Sequence, residues 1–395
     1  MNATPTLASL LAPLTVENFF QTYWEQTPLY LPCVEAARFA DVLTPAQLDQ
    51  YWQSHNLHPS FLKVIRQGVL CPLEQWTTVE KRQQTEAYRV IAPEKLFALF
   101  HAGTSIVFSA AESALPNLMS FCQQLSVELR ARVQANLYLT PPHAQAVGPH
   151  FDTHNLFVLQ ISGSKHWRLY DCPVIAPVQG ENLGDRYAEQ APARELTLQP
   201  GDLLYLPRGL VHVANTAETA SLHVALGLHG GFGFHLLEEL TALAQTDPFF
   251  RQPLPTGAQD STAWQAEFSQ RLQTLVAECD VTELLQLRQA ALVDTQPIAR
   301  PGRVQDLLQA GQLTLETRVA RRAGVPYELI CEQTRLHVRC GEHELTLPLF
   351  MATAVQTLLN GEAHAVQSLR GTLNEQGKLE IVHELIRVGL LTIVE

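Results

Sequence analysis

At 395 residues the chain is long enough for two or three domains, and 46% hydrophobic with 17% charged content excludes wholesale disorder. A formal net charge of −12 excludes the basic surface that generic nucleic-acid binding needs, while remaining compatible with a Lys/Arg-rich partner. No run of about 20 apolar residues is available to span a bilayer, so no membrane association is expected. No Lys or Arg precedes Arg38 to form the n-region of a signal peptide. The 7 cysteines (Cys33, Cys71, Cys122, Cys172, Cys279, Cys331, Cys340) are scattered without a C-x-x-C, so reduced thiols and a cytoplasmic chain are expected.

In chain order, residues 14–55 read as helical pieces. "TVENFFQTYWEQTPLYLP" opens on Thr15 as a cap, with Asn18 where a capping box would carry Glu. Residues 117–130, "NLMSFCQQLSVELR", form a predicted helix with Leu118, Phe121, Cys122 and Leu125 on one stripe. From residue 132 the period changes: "RVQANLYLT", "NLFVLQIS", "KHWRLYD", "RELTLQPGDLLYLP", "LVHVAN" and "SLHVALGLH" are short apolar runs, several separated by Gly or Pro. Such a series predicts a barrel or sandwich.

After Gly233 the pattern becomes helical again, in "FHLLEELTALAQ" and "STAWQAEFSQRLQTLVAEC". Thr262 with Gln265, and Asp280 with Glu283, are candidate capping boxes. Trp264 and Phe268 are expected to pack in a helix–helix core. "DTQPIARPG" (294–302) is the second expected boundary. Residues 303–395 read as a small α+β unit, with strands "YELICEQ", "RLHVRC" and "HELTLP" and helices "PLFMATAVQTLLNG" and "KLEIVHELIRVGLL". A winged-helix-like domain fits, but acidic side chains outnumber basic ones in it, so direct DNA binding is not expected.

The candidate chemistry begins at "GPHFDTHN". If residues 148–153 are extended, His150 and Asp152 share one face and project into the barrel. An interior carboxylate needs a charged partner or a metal. "GDLLYLPRGLVHVAN" supplies His212 at the end of a G-x5-P-x-G-x2-H spacing from Gly201, and a hairpin return can carry that histidine to the H-x-D. Two imidazoles and one carboxylate on one face leave open positions, the arrangement that suits non-haem Fe(II).

The G-x5-P-x-G-x2-H spacing resembles the second motif of cupin barrels, with Asn215 one residue early. "GPHFDTHNLFVLQISGSKHWRLYD" together with "LQPGDLLYLPRGLVHVA" more closely resembles the JmjC-type ribosomal oxygenases, which are Fe(II)/2-oxoglutarate protein hydroxylases. That resemblance implies an α+β chain whose core is a double-stranded β-helix (cupin/JmjC) barrel with N-terminal helices, spanning 1–233. A helical dimerisation segment (234–300) and a winged-helix-like domain (301–395) would follow. It implies His150, Asp152 and His212 as ligands of Fe(II), with O2 as co-reactant. Lys165 would hold the far carboxylate of the cosubstrate 2-oxoglutarate, with Tyr138 and Asn136 hydrogen-bonding it and Asn155 a weaker candidate behind the site. It further implies a homodimer and a basic protein substrate, a ribosomal protein, hydroxylated on His or Arg. Lys at position 165 leans towards the histidine-hydroxylating branch.

Two other readings compete: a small-molecule cupin dioxygenase without 2-oxoglutarate, and an inactive metal-stabilised scaffold, which would gain if His223 reached the metal as a fourth ligand. The remaining histidines read as bland. His143 and His154 could sit at the pocket mouth but are expected in solvated loops, His166 is expected on the outward face of its strand, and His223 could line the barrel but is expected as a satisfied interior histidine.

Overall fold

Along the strand Ala131–Thr140, Val133, Ala135 and Leu137 are buried in a core against helices, while Asn136 and Tyr138 between them line a cavity. This two-sided strand organises the first of two compact units, Met1–His229 and Gly230–Glu395, in the computed structural model. The structure describes residues 5–54, 57–81, 87–183, 191–256, 261–282, 284–285, 288, 303–322, 325, 327–340 and 343–394.

In the first unit the strands are β1 (Leu29–Leu31), β2 (Leu62–Arg66), β3 (Val69–Leu70), β4 (Thr77–Glu80), β5 (Tyr88–Ile91) and β6 (Ser105–Phe108). They continue with β7 (Ala131–Thr140), β8 (Asn155–Ser162), β9 (Lys165–Leu169), β10 (Arg194–Leu198), β11 (Leu203–Leu206), β12 (His212–Asn215) and β13 (Ser221–Gly230). The large sheet has the order β1-β11-β8-β13-β7-β6-β2-β3, and β10-β9-β12 forms the opposite wall. Single-residue bridges, Gln145 to Asn215 and His150 to His212, lay the stretch before β8 alongside β12 and complete that wall. The result is the double-stranded β-helix that the strand pattern and the resemblance led us to expect.

Both faces of β8 are covered, which is why "NLFVLQIS" reads as a near-continuous apolar run. Phe157 and Leu159 face the core against the N-terminal helices, and Leu156 and Val158 face the barrel interior with Trp167, Leu198 and Leu204. Phe19, from helix Val16–Thr22, packs edge-on to Tyr205 at 4.9 Å between ring centroids. Removing a fully buried ring such as Phe157 would cost about 3–5 kcal/mol. Thr15 caps the Val16–Thr22 helix through the Asn18 N–H at 3.2 Å, as expected. The tail of that same N-terminal stretch forms β1 and pairs with β11.

The second unit holds helices Gly233–Ala244 and Ser261–Glu278. Trp264 and Phe268, half-buried on one helix, stack at 5.0 Å and meet Phe249 of the preceding turn, so they pack against a turn rather than in the expected helix–helix core. Thr262 lies inside its helix rather than capping it, so that capping box is corrected. Asp280 accepts the Thr282 N–H at 2.7 Å, while Glu283 and the boundary stretch 294–302 lie outside the described residues. Further on, Arg318–Arg321, His364–Ala365 and Leu391–Val394 form one three-stranded sheet, and Glu328–Cys331, Arg335–Cys340 and His343–Pro348 form a meander. The last helix, Glu375–Arg387, stops short of the expected run to Leu391. Gly389 turns the chain with a positive φ of 89°, and Leu391–Val394 then pairs with Arg318–Arg321. Buried Asp306 accepts from Arg322, from the Thr392 hydroxyl (3.0 Å) and from the Ile393 N–H (3.0 Å), a satisfied ion pair that anchors this strand. Among the described residues no helix is long and apolar enough to cross a membrane.

The β8–β9 turn depends on Gly163, whose φ is +64° and whose added Cβ would lie 1.7 Å from the Ala220 carbonyl oxygen. Gly163→Ala is therefore expected to lower the thermal midpoint far more than Gly103→Ala. The latter is also left-handed (φ +91°) but has open space around it, and should cost only about 1–2 kcal/mol. Equal midpoints in differential scanning calorimetry would contradict this account of the turn.

Candidate metal centre

His212 opens β12, and the turn before it is made by Pro207 and Gly209. Gly209 has φ +84°, and a Cβ there would fall 2.6 Å from the Val174 carbonyl oxygen. The Gly209 N–H donates to the Asp152 carbonyl at 2.9 Å, tying this turn to the H-x-D segment. His150 and His212 exchange backbone hydrogen bonds, His150 N–H to His212 O at 3.1 Å and His212 N–H to His150 O at 2.8 Å. The expected strand over 148–153 is thus reduced to one bridge residue. Asp152 lies beyond it on irregular backbone, held in place by Gly209.

The outcome is a compact donor set. The imidazole centroids of His150 and His212 are 4.4 Å apart, and His212 Nε2 lies 3.7 Å from Asp152 Oδ2. One ligand atom from each of His150, Asp152 and His212 lies within 4.8 Å of the others. His150 Nδ1 lies 2.9 Å from the Gly148 carbonyl and His212 Nδ1 lies 3.0 Å from the Leu210 carbonyl. Each Nδ1–H donates there, which leaves both Nε2 lone pairs free to hold a cation. Burial, and then His150, push the His212 imidazolium down to about 4 against the pull of Asp152. Burial would raise the Asp152 carboxyl, but His212, His150 and the other nearby imidazoles outweigh it and leave the group below the usual range. Two neutral imidazoles and a carboxylate carry one net negative charge, which fits a divalent first-row metal with open positions.

These groups share a cavity of about 110 Å3 with Asn136, Tyr138, Lys165, Trp167 and His223. Lys165 is 2% exposed, and its Nζ donates to Thr140 Oγ1 at 2.7 Å and lies 5.9 Å from the Tyr138 ring centre. It has no carboxylate partner among the described residues, and burial pushes its ammonium down to about 7. Tyr138 stacks on His223 at 4.9 Å, and burial, with the Asp152 charge, raises its phenol to about 12. Asn136 Oδ1 accepts the Ala110 N–H at 3.2 Å, which leaves its amide NH2 as the donor for the cavity. His223 Nδ1 and Trp167 Nε1 are buried without hydrogen-bond partners among the described residues. An unpaired buried ammonium beside orphaned polar atoms fits an anionic guest such as 2-oxoglutarate.

All six sequence-derived site residues therefore lie around one cavity. Asn155 stands behind it: its Oδ1 accepts from the Tyr205 hydroxyl (2.8 Å) and the Arg208 N–H (3.2 Å), and its amide donates to Glu25. It thereby braces the turn that holds Asp152. His143 is exposed and His166 faces outward to Glu195 at 2.8 Å, both as expected. Two expectations fail. His223 is not a satisfied histidine, and His154 is half-buried at the cavity rather than in a solvated loop. His223 also stands outside the ligand group. Thr140 and Trp167 were missed, although each follows a chosen residue (Tyr138, Lys165) by two along a strand, a signal alternation carries.

The fold and the site together define a double-stranded β-helix protein with a two-histidine, one-carboxylate centre. Residues 110–231 match the family model of the JmjC domain. Its relatives include the bifunctional lysine-specific demethylase and histidyl-hydroxylase NO66 of Aedes aegypti, 30% identical over 56% of this chain and 34% of that protein. The protein of the same name from Drosophila persimilis is 30% identical over 60% of this chain and 34% of its own length. The chain thus spans about a third of the curated relatives it matches. Among solved structures, the Escherichia coli ribosomal oxygenase YcfD superposes with a TM-score of 0.56 at 15% identity, covering 96% of this chain and 98% of that one. Its complex with cobalt and 2-oxoglutarate gives 0.57 at 14% identity over 97% and 99%. At such identity the likeness is one of fold.

His212→Ala and Asp152→Ala are each expected to weaken Mn(II) or Ni(II) binding by at least about 100-fold in isothermal titration calorimetry. His166→Ala, facing outward, should leave it unchanged. Undiminished affinity in either of the first two would remove the centre proposed for them.

Proposed function

We propose that the protein is an Fe(II)- and 2-oxoglutarate-dependent oxygenase that hydroxylates a side chain, His or Arg, of a basic protein substrate, a ribosomal protein. One observation carries this reading. The cavity that presents three metal donors also holds a buried ammonium, Lys165, with no counter-charge among the described residues. A small-molecule cupin or an inert scaffold has no use for such a cation, whereas a dicarboxylate cosubstrate supplies its missing partner. The names of the curated relatives and the YcfD fold support the same class of chemistry.

In this reading His150, Asp152 and His212 hold the iron. Bound there with 2-oxoglutarate and O2, iron supplies oxidative decarboxylation to succinate and CO2 coupled to hydroxylation of a C–H bond. The chain's residues do the rest. Lys165, with Thr140 behind it, fixes the far carboxylate of the cosubstrate. The Tyr138 hydroxyl and the Asn136 amide orient it, and the apolar lining of Leu156, Ala214 and Ala225 keeps water from the reacting atoms. The Nδ1 hydrogen bonds of both ligand histidines hold their rings in one tautomer throughout. The protein is read as cytoplasmic and homodimeric. Phe234 and Leu237, exposed on one helix, and Leu272 and Val276 on the next support a helical dimer interface. Light scattering should give twice the 43.9 kDa chain mass.

The Lys165 ammonium gives a signed pH dependence. Burial holds its pKa near 7, and a bound dianion would raise it. Below that value the ammonium is already present and affinity is flat. Above it, binding requires proton uptake, and affinity for 2-oxoglutarate should fall towards about tenfold per pH unit. Titrations of the Mn(II) form from pH 6 to 9, with Lys165→Met alongside, test this. The variant should bind at least about tenfold more weakly at pH 6 and lose the slope. A pH-independent wild type, or a variant that binds equally well, would refute the cosubstrate site.

A further inference from the structure

A second cavity, of about 360 Å3, opens in the first unit and shares no lining residue with the metal cavity. It lies between the helices Pro45–Ser54 and Pro93–His101, and β5 with the first residue of β2 completes its wall. Leu62 and Leu96 on its lining belong to the core, 5% and 2% exposed. The rings of Trp52 and Phe97 meet across the two helices at 5.9 Å between centroids, tilted by 31°. A volume of this size falls in the range of small-molecule pockets, about 300–1,000 Å3. Left empty, an apolar void forfeits dispersion contacts along its lining, a loss that an occupant offsets.

The polar groups of the lining say what that occupant is. Trp52 Nε1 is buried and has no hydrogen-bond partner among the described residues. A buried donor left unpaired is rare, and an acceptor from outside the chain would satisfy it. Asp49 and Gln53 stand one helical turn apart on the exposed side of the lining, and Gln53 Nε2 donates to Asp49 Oδ2 at 3.3 Å. No Lys, Arg or His is among the described lining residues. An anionic guest would meet a like charge at Asp49 and find no cation to offset its desolvation. A neutral guest keeps the apolar walls covered and needs one oxygen for the indole. The lining carries no nucleophile and no base beyond exposed Asp49, so it is built to bind rather than to catalyse.

We propose that this cavity is a binding site for a small neutral molecule with an aromatic or branched-aliphatic body and a carbonyl or ether oxygen that accepts from Trp52 Nε1. The site is distinct from the metal centre and stands independently of the oxygenase reading.

The test uses the full chain labelled with 15N, in which 5 Trp give separate indole N–H cross-peaks. The Trp52 peak is assigned by its loss in Trp52→Phe. Three probes of similar size are titrated: acetophenone carries the acceptor, ethylbenzene lacks it, and benzoate adds negative charge. Acetophenone is expected to move the Trp52 peak downfield and to saturate with a dissociation constant of about 1 mM or below. Ethylbenzene should bind at least about fivefold more weakly, the worth of one hydrogen bond. Benzoate should leave the peak in place. Trp52→Phe keeps a ring and removes the donor, so ligand-observed NMR should show it binding acetophenone and ethylbenzene alike. Val90→Phe, which fills the cavity from half-buried β5, should abolish the Trp52 shift while the other indole peaks stay where they are.

A Trp52 peak unmoved by acetophenone at its solubility limit, or an equal response to benzoate, would overturn the site. A full response in folded Val90→Phe would do the same. So would movement of the Trp167 peak alone, which would put the probe in the metal cavity. If Val90→Phe does not fold, the three probes on wild type and Trp52→Phe decide the matter.

Discussion

Two backbone hydrogen bonds, exchanged by His150 and His212, fix everything the site can do. They join the segment before β8 to the first residue of β12 and so place two imidazoles 4.4 Å apart on one side of the barrel wall. With both Nδ1 atoms turned to backbone carbonyls, the rings cannot rotate away from their Nε2 orientation without losing a hydrogen bond. Asp152 joins them through a second main-chain bond, from Gly209. A carboxylate among neutral imidazoles in a low-dielectric interior is a costly arrangement in isolation, and a divalent cation is the simplest way to offset that cost.

Lys165 has a neutral hydroxyl partner, the metal donors share its cavity, and His154 and His229 lie side by side next to Gly227. On the proposed reading a dicarboxylate would meet Lys165 and the substrate side chain would meet the metal group.

The turn around Asp152 is stiffened from outside the barrel. The Tyr205 hydroxyl, Asn155, Glu25 and Arg208 form one hydrogen-bonded cluster, in which Arg208 Nε reaches Glu25 at 2.6 Å. Glu25 follows the N-terminal helices whose Phe19 packs on Tyr205 and Phe157. The N-terminal segment is therefore a brace for the site as well as a cover for the sheet, because a turn holding a metal ligand must not move by even an ångström if geometry is to be kept.

Much of this was legible in the sequence for a physical reason: alternation is a local property. Strands β7 to β13 follow their apolar periodicity, and the resemblance pointed to Asn136, Tyr138 and Lys165, which alternation along β7 and β9 turns to the cavity. The same rule, applied further, reaches Thr140 and Trp167. His150, Asp152 and His212 were legible through their spacings, although the strand expected at 148–153 proved to be a single bridge residue. The end of the last helix was misread because Gly389 permits a turn that helical periodicity does not register. What the chain's local pattern could not reveal was which groups would be left unpaired. The orphaned Nδ1 of His223, the counter-charge missing from Lys165 and the meeting of His154 with His229 over Gly227 depend on barrel closure, which brings together residues far apart in the chain. Local sequence sets which way a side chain points; closure of the sheet decides what it faces.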